Sequence, residues 1–207
     1  MMILSILSTI FMNWNMYLDK GVKNMIIYIH GFASSGEGHK AKLFREYFTN
    51  KNRKFMAPSL SYIPELAIQT LEEIIENSQE KIALIGSSLG GYYATYLACK
   101  YNLKAVLINP STHPYITLQK TVGYMQSFYD ESRFEWKESH LQMLKKYEVQ
   151  ELKHENFMLL LQKGDETLDY TEAANKFTNA ILVIEEGGSH SFDNIERYFE
   201  QTEEFLL

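Results

Sequence analysis

Cysteine occurs once in the 207 residues, as Cys99. An internal disulfide is therefore excluded, and the chain suits a reducing compartment, so a cytoplasmic protein is expected. Within its helical stretch Cys99 reads as a small packing residue. Metal-ligand spacings are missing as well: with no His-x-x-x-His and no Cys-x-x-Cys, no metal and no cofactor is expected. Lys and Arg form no cluster, and the net charge of −6 is spread along the chain. That pattern lacks the basic footprint of a nucleic-acid binder. No repeat, low-complexity tract or linker divides the sequence, and its length suffices for one core without staples. Long apolar runs are absent too. The opening MMILSILSTIFM is too short to span a bilayer, has no Lys or Arg before it and no A-x-A-like site after it. Neither signal peptide nor transmembrane helix fits, and no stable membrane insertion is expected. Residues Met1 to Asn24 are expected to be an N-terminal extension outside the core, with weak membrane docking as its alternative role. Residues 25–207 are then one domain.

What the chain does contain is an alternation of apolar strands and amphipathic helices. MIIYIH, KFMAP, KIALI, KAVLINP, NFMLLLQ and AILVI read as strands; KLFREYF, the segment Pro64 to Asn77, YYATYLACK and NIERYFEQTEEFLL read as helices. Continuous apolar strands separated by helices predict an α/β fold, a mostly parallel sheet covered on both faces. Residues 111–151 carry no strand signal but hold Tyr115, Tyr124, Phe128, Tyr129, Phe134 and Trp136. They are expected to form a helical cap lining the site, or else ordinary aromatic packing.

Chemistry is concentrated in four places. Gly86-Ser87-Ser88-Leu89-Gly90 lies between a strand and a helix, the context of a nucleophile elbow, and makes Ser88 a candidate nucleophile with Gly86 and Gly90 as close-packing glycines. Asp165 follows a buried strand in a Gly-Asp turn, with Glu166 and Asp169 as alternative acids. His190 follows a later strand and the pair Gly187-Gly188. All three positions fall at carboxyl ends of strands, where open α/β sheets bind ligands. His30-Gly31-Phe32 follows the first strand; the backbone amides of Phe32 and Leu89 are candidate oxyanion donors, each able to lower an acyl-transfer barrier by roughly 3 kcal/mol. His30 reads as a scaffold for that loop. His39, His113, His140 and His154 have no matching constellation.

The stretches YIHGFASS, GSSLGGYYATYLA, INPS, KGDETLDY and IEEGGSHSF resemble, in this order, those of the small bacterial YqiA-type esterases of the α/β-hydrolase superfamily. The resemblance runs from about Met25 to the C-terminus, apart from the middle segment Tyr115 to His154. It implies an α/β-hydrolase fold and a serine esterase with Ser88, Asp165 and His190 as its triad, acting on a small-molecule ester of short acyl chain. An acyl thioesterase and a non-catalytic ligand-binding protein are the alternatives. A site for the phosphates of an acyl-CoA should have basic residues at its mouth, and the linear sequence shows no such cluster. Oligomeric state is not legible.

Overall fold

The computed structural model describes residues 24–207; the expected extension, apart from Asn24, lies outside them. Six strands form one parallel sheet in the order β2-β1-β3-β4-β7-β8: β1 Asn24–Ile29, β2 Lys54–Met56, β3 Lys81–Ser87, β4 Ala105–Ile108, β7 Phe157–Gln162 and β8 Ile181–Glu185. The helices are α1 His39–Asn50, α2 Pro64–Glu76, α3 Leu89–Tyr101, α4 Pro114–Thr117, α5 Glu138–Lys145, α6 Tyr170–Lys176 and α7 Phe199–Leu206.

Strand residues point alternately to the two faces, so a sheet covered on both sides needs apolar residues at consecutive positions. This sheet has them. Ile27, Ile29, Leu84, Leu107, Leu159 and Leu161 face a core built with α2, α3 and α6. Ile26, Tyr28, Ile85, Val106, Ile108 and Leu160 face a second core built with Phe44 and Phe48 of α1 and Phe199 and Leu206 of α7. Every strand residue named here is buried. Together the two layers bind six short strands into one unit without a disulfide.

Chain order reverses between β1 and β3: from β1 the chain runs outward to β2, then returns to β3 and continues the other way. The connections after neighbouring strands thus leave on opposite faces, and a crevice opens at the carboxyl ends of β1 and β3. His30 to Phe32 follow β1 there and Ser88 follows β3.

The segment after β4 departs from the expected helical cap. Beside α4, α5 and a turn of 3-10 helix at Gln119–Thr121, it contains a two-stranded antiparallel ribbon, β5 Gly123–Gln126 and β6 Arg133–Trp136, paired from Gly123 opposite Trp136 to Gln126 opposite Arg133. The reason is visible in β6, where Phe134 and Trp136 are buried while Arg133 and Glu135 are exposed. That is a period-2 pattern, but four residues long, too brief to stand out among scattered aromatics. Phe134 and Trp136 pack edge-on to Phe32, with ring centroids 5.8 and 4.8 Å apart, and the amide of Phe128 at the ribbon tip donates to the carbonyl of Ala33 at 2.8 Å. The ribbon is thereby fastened to the loop after β1.

Candidate active site

Ser88 occupies the turn from β3 into α3 at φ 55°, ψ −120°, a conformation that an L-residue adopts only at a cost of order 1–3 kcal/mol. Two close approaches hold it there. A side chain on Gly86 would collide with the backbone of Gly90, and one on Gly90 with the carbonyls of Ile29 and His30, so only glycine lets β3, α3 and β1 meet this closely. The turn is also tied to β4: the Ser88 amide donates to the carbonyl of Ile108 at 3.1 Å, and the Ser88 carbonyl accepts from the amides of Gly91 and Ser111 at 2.9 and 3.0 Å. The strained residue is thus fixed by its surroundings, with its hydroxyl lining the cleft.

His190 bridges Ser88 and Asp165. Its Nε2 lies 3.0 Å from Ser88 Oγ and its Nδ1 lies 2.8 Å from Asp165 Oδ2. The Asp165 side chain is 2% exposed, and its other oxygen accepts from the amides of Thr167 and Leu168, both at 2.8 Å. A carboxylate so fixed accepts a hydrogen bond from Nδ1–H of the neutral imidazole, which leaves Nε2 as an acceptor for the serine hydroxyl. The alternative acids do other work. Glu166 accepts from the backbone amide of His190 at 3.0 Å, and this bond holds its carboxyl below the usual range. Asp169 caps α6, accepting from the Thr171 amide at 2.9 Å and the Thr171 hydroxyl at 2.7 Å, which likewise lowers its pKa.

Two residues that the sequence reading did not single out hold the His190 loop. Asn109 Nδ2 donates to the carbonyls of Ser189 and His190 at 2.9 and 3.3 Å, while its Oδ1 accepts from the Gln162 amide at 3.0 Å. Gln162 Oε1 accepts from the amides of Ser189 and Asp193 at 3.1 and 2.8 Å; its Nε2 donates to Glu185 Oε2 at 2.8 Å and to the carbonyl of Asp193 at 3.0 Å. Both side chains are buried with all their polar atoms engaged. The signal was a lone amide residue at the end of each apolar strand, INPS and LLLQK, where a buried polar group must have partners.

His30 is buried, and burial lowers its pKa. Its Nε2 accepts from the Leu60 amide at 3.0 Å, so the proton sits on Nδ1, which donates to the carbonyl of Gly31 at 2.9 Å. With both ring nitrogens engaged, it braces the loop. Gly31 lies so close to the elbow that a side chain on it would meet Ser88 Cβ at 3.2 Å. Among the described residues, neither the Phe32 nor the Leu89 amide donates to a protein acceptor, and both residues line the cleft beside Ser88. The cleft measures about 790 Å³, with Leu118, Met125 and Phe128 among its apolar walls. Residues of the 111–151 segment therefore do line the cavity, by way of the ribbon and the α4 turn.

The cleft also corrects the expectation drawn from the linear sequence about charge. His39, Lys40, Lys42 and Lys120 all line it. Two of the lysines come from the first turn of α1 and the third from far along the chain, so only folding makes them neighbours. Away from the cleft, burial pushes the Cys99 thiol up, which keeps it protonated at neutral pH. The described residues include no group of three or more His, Cys, Asp or Glu arranged to hold a metal ion, and no helix long and apolar enough to cross a membrane.

Comparison with known proteins agrees with this architecture. A UPF0227 protein of Vibrio parahaemolyticus is 27% identical over 190 residues, covering 87% of this chain and 98% of that protein. The UPF0227 protein YcfP of Escherichia coli O9:H4 is 22% identical over 186 residues, with the same coverage. Among solved structures, Est1E from Butyrivibrio proteoclasticus with bound ferulic acid superposes with a TM-score of 0.68 at 14% identity, over 90% of each chain. Mouse alpha/beta hydrolase domain-containing protein 10 superposes with a TM-score of 0.66 at 15% identity, over 87% of this chain and 88% of that one. The fold is that of the α/β hydrolases, as the sequence resemblance implied. Residues 25–207 match the family described as uncharacterised protein family UPF0227, and the chain belongs to that family.

Proposed function

We propose that the protein is a serine esterase that hydrolyses short-chain carboxylic esters through an acyl-enzyme. The observation that carries this reading is the unbroken line from Ser88 Oγ to His190 Nε2 at 3.0 Å and from His190 Nδ1 to Asp165 Oδ2 at 2.8 Å, starting at a serine held in a strained turn at the sheet's switch point.

In this mechanism His190 Nε2 takes the Ser88 proton as Oγ attacks the ester carbonyl, and Asp165 stabilises the resulting imidazolium. The carbonyl oxygen becomes an oxyanion and accepts from the amides of Leu89 and Phe32. As the tetrahedral intermediate collapses, the carbon–oxygen bond to the alcohol breaks and His190 returns the proton to the departing oxygen. Water, deprotonated by His190, then attacks the acyl-enzyme, and a second collapse releases the carboxylic acid and restores Ser88. The fixed donors need no reorganisation as charge develops.

The test is turnover of nitrophenyl esters graded from acetyl to palmitoyl. The wild-type protein is expected to hydrolyse the short members fastest, and Ser88→Ala to lose the activity at unchanged melting temperature. A folded wild-type protein inactive on every ester, yet binding small apolar ligands, would leave the non-catalytic binding protein standing.

A further inference from the structure

The wall of the cleft carries a charge opposite to that of the molecule. The chain's net charge is −6, yet the cavity that holds Ser88 is lined by Lys40, Lys42 and Lys120. None of the three forms an ion pair among the described residues; five lysines elsewhere do so with glutamates, and others do not. The cleft's one lining carboxylate, Glu37, is already held by Arg45 through two contacts, at 2.7 and 3.1 Å. Its charge is therefore not available to balance the lysines.

Lys40 and Lys42 lie in the first turn of α1, which contains no acidic residue. Cations there oppose the helix dipole, so the sequence keeps positive charge where the helix alone would favour a carboxylate. The Lys40 ammonium donates to the carbonyl of Ser191, next to His190, at 2.7 Å, and its burial pushes its pKa down to about 8. Lys42 sits 5.9 Å from the centroid of the Tyr129 ring, which also lines the cleft. Lys120 belongs to a different element, the 3-10 turn before the ribbon. Cations from two separate segments thus line one cleft, and a low-dielectric cleft with walls of one sign concentrates ligands of the other.

Building on the esterase reading, we infer that the substrate carries a negative charge, a carboxylate or phosphate on its acyl or alcohol part, which the cleft lysines Lys40, Lys42 and Lys120 receive while the ester carbonyl lies at Ser88. The lysines add no chemical step; they select and orient.

The experiment compares matched pairs of esters at low ionic strength: the mono-nitrophenyl ester of glutaric acid against nitrophenyl pentanoate, and the butanoate of 4-hydroxyphenyl phosphate against that of 4-methoxyphenol. At least one anionic member is expected to exceed its neutral partner by about tenfold in kcat/KM. The advantage should fall toward unity in the double variant Lys42→Gln/Lys120→Gln and as salt is raised. The pair that shows it separates carboxylate from phosphate recognition. Lys40 is left in place because its bond to Ser191 supports the His190 loop. Equal or better rates for both neutral partners, or an advantage that survives in the double variant, would overturn the inference. Calorimetric binding of glutarate and phenyl phosphate to Ser88→Ala protein keeps the question apart from catalysis: a wild-type protein that cuts no ester would refute the esterase reading. In that case, binding of either anion that is lost in a Ser88→Ala/Lys42→Gln/Lys120→Gln variant would still support the anion site, and no binding of either anion would refute it.

Discussion

At the scale of single residues, the account predicts a sharp division among three neighbouring carboxylates. Asp165→Asn should lower turnover on the order of 10³ to 10⁴, because an amide facing Nδ1 favours the wrong histidine tautomer. Glu166→Gln should be mild, and Asp169→Asn milder still, since asparagine caps a helix nearly as well; kcat measured beside melting temperature distinguishes loss of chemistry from loss of fold. The sequence left these three open, because a Gly-Asp turn is ordinary and nothing linear says which carboxyl turns inward. In the fold it is Asp165 that is buried against His190, held by two backbone amides. Ser88 and His190 were legible from their strand-end contexts, whereas Asn109 and Gln162 were not, for their role exists only once three strand ends meet. Lys40 yields a pH prediction. Its folded pKa, about 8, lies below the usual lysine value, so the unfolded chain binds more protons between the two and folding stability gains as pH rises through that window. Urea unfolding of wild type and Lys40→Met at pH 7 and 9.5 should show wild type gaining, relative to the variant, on the order of 1 kcal/mol at the higher pH. A gap that does not move would mean that Lys40 is solvated.

At the scale of elements, strands and helices of the sheet were readable because each carries a periodicity long enough to identify it, and because two covered faces demand unbroken apolar runs such as IIYI and FMLLL. The ribbon of β5 and β6 was not readable. Its strands are four residues each, and its stability comes from Phe134 and Trp136 packing on Phe32, a partner about a hundred residues earlier in the chain. This coupling predicts two effects of Trp136→Ala. Emptying a fully buried indole site should cost about 3–5 kcal/mol in stability. Esterase kcat should also fall at temperatures where the protein stays folded, because the loop that presents the Phe32 amide loses its backing. A variant destabilised as expected but with unchanged kcat would separate the ribbon from the oxyanion loop.

At the scale of the whole molecule, the sheet's reversal between β1 and β3 accounts for the position of the site. It opens a crevice where a glycine-pinned serine, a loop with two undirected amides and a histidine on a braced loop meet, and it gathers lysines that the linear sequence disperses. The fold, and the strand-end positions of Ser88, Asp165 and His190, could be read from order and context along the chain, whereas the charge of the cleft could not, since it depends on which surfaces face each other after folding. The central claim is that this meeting point activates one hydroxyl among many. A fluorophosphonate probe tests it most directly, since an ordinary serine is a poor nucleophile at neutral pH and only one with an adjacent base and an oxyanion hole attacks phosphorus quickly. Peptide mass mapping should find the adduct on Ser88 alone, with labelling suppressed by His190→Ala and abolished by Ser88→Ala; folded protein that remains unlabelled at Ser88 would contradict the account.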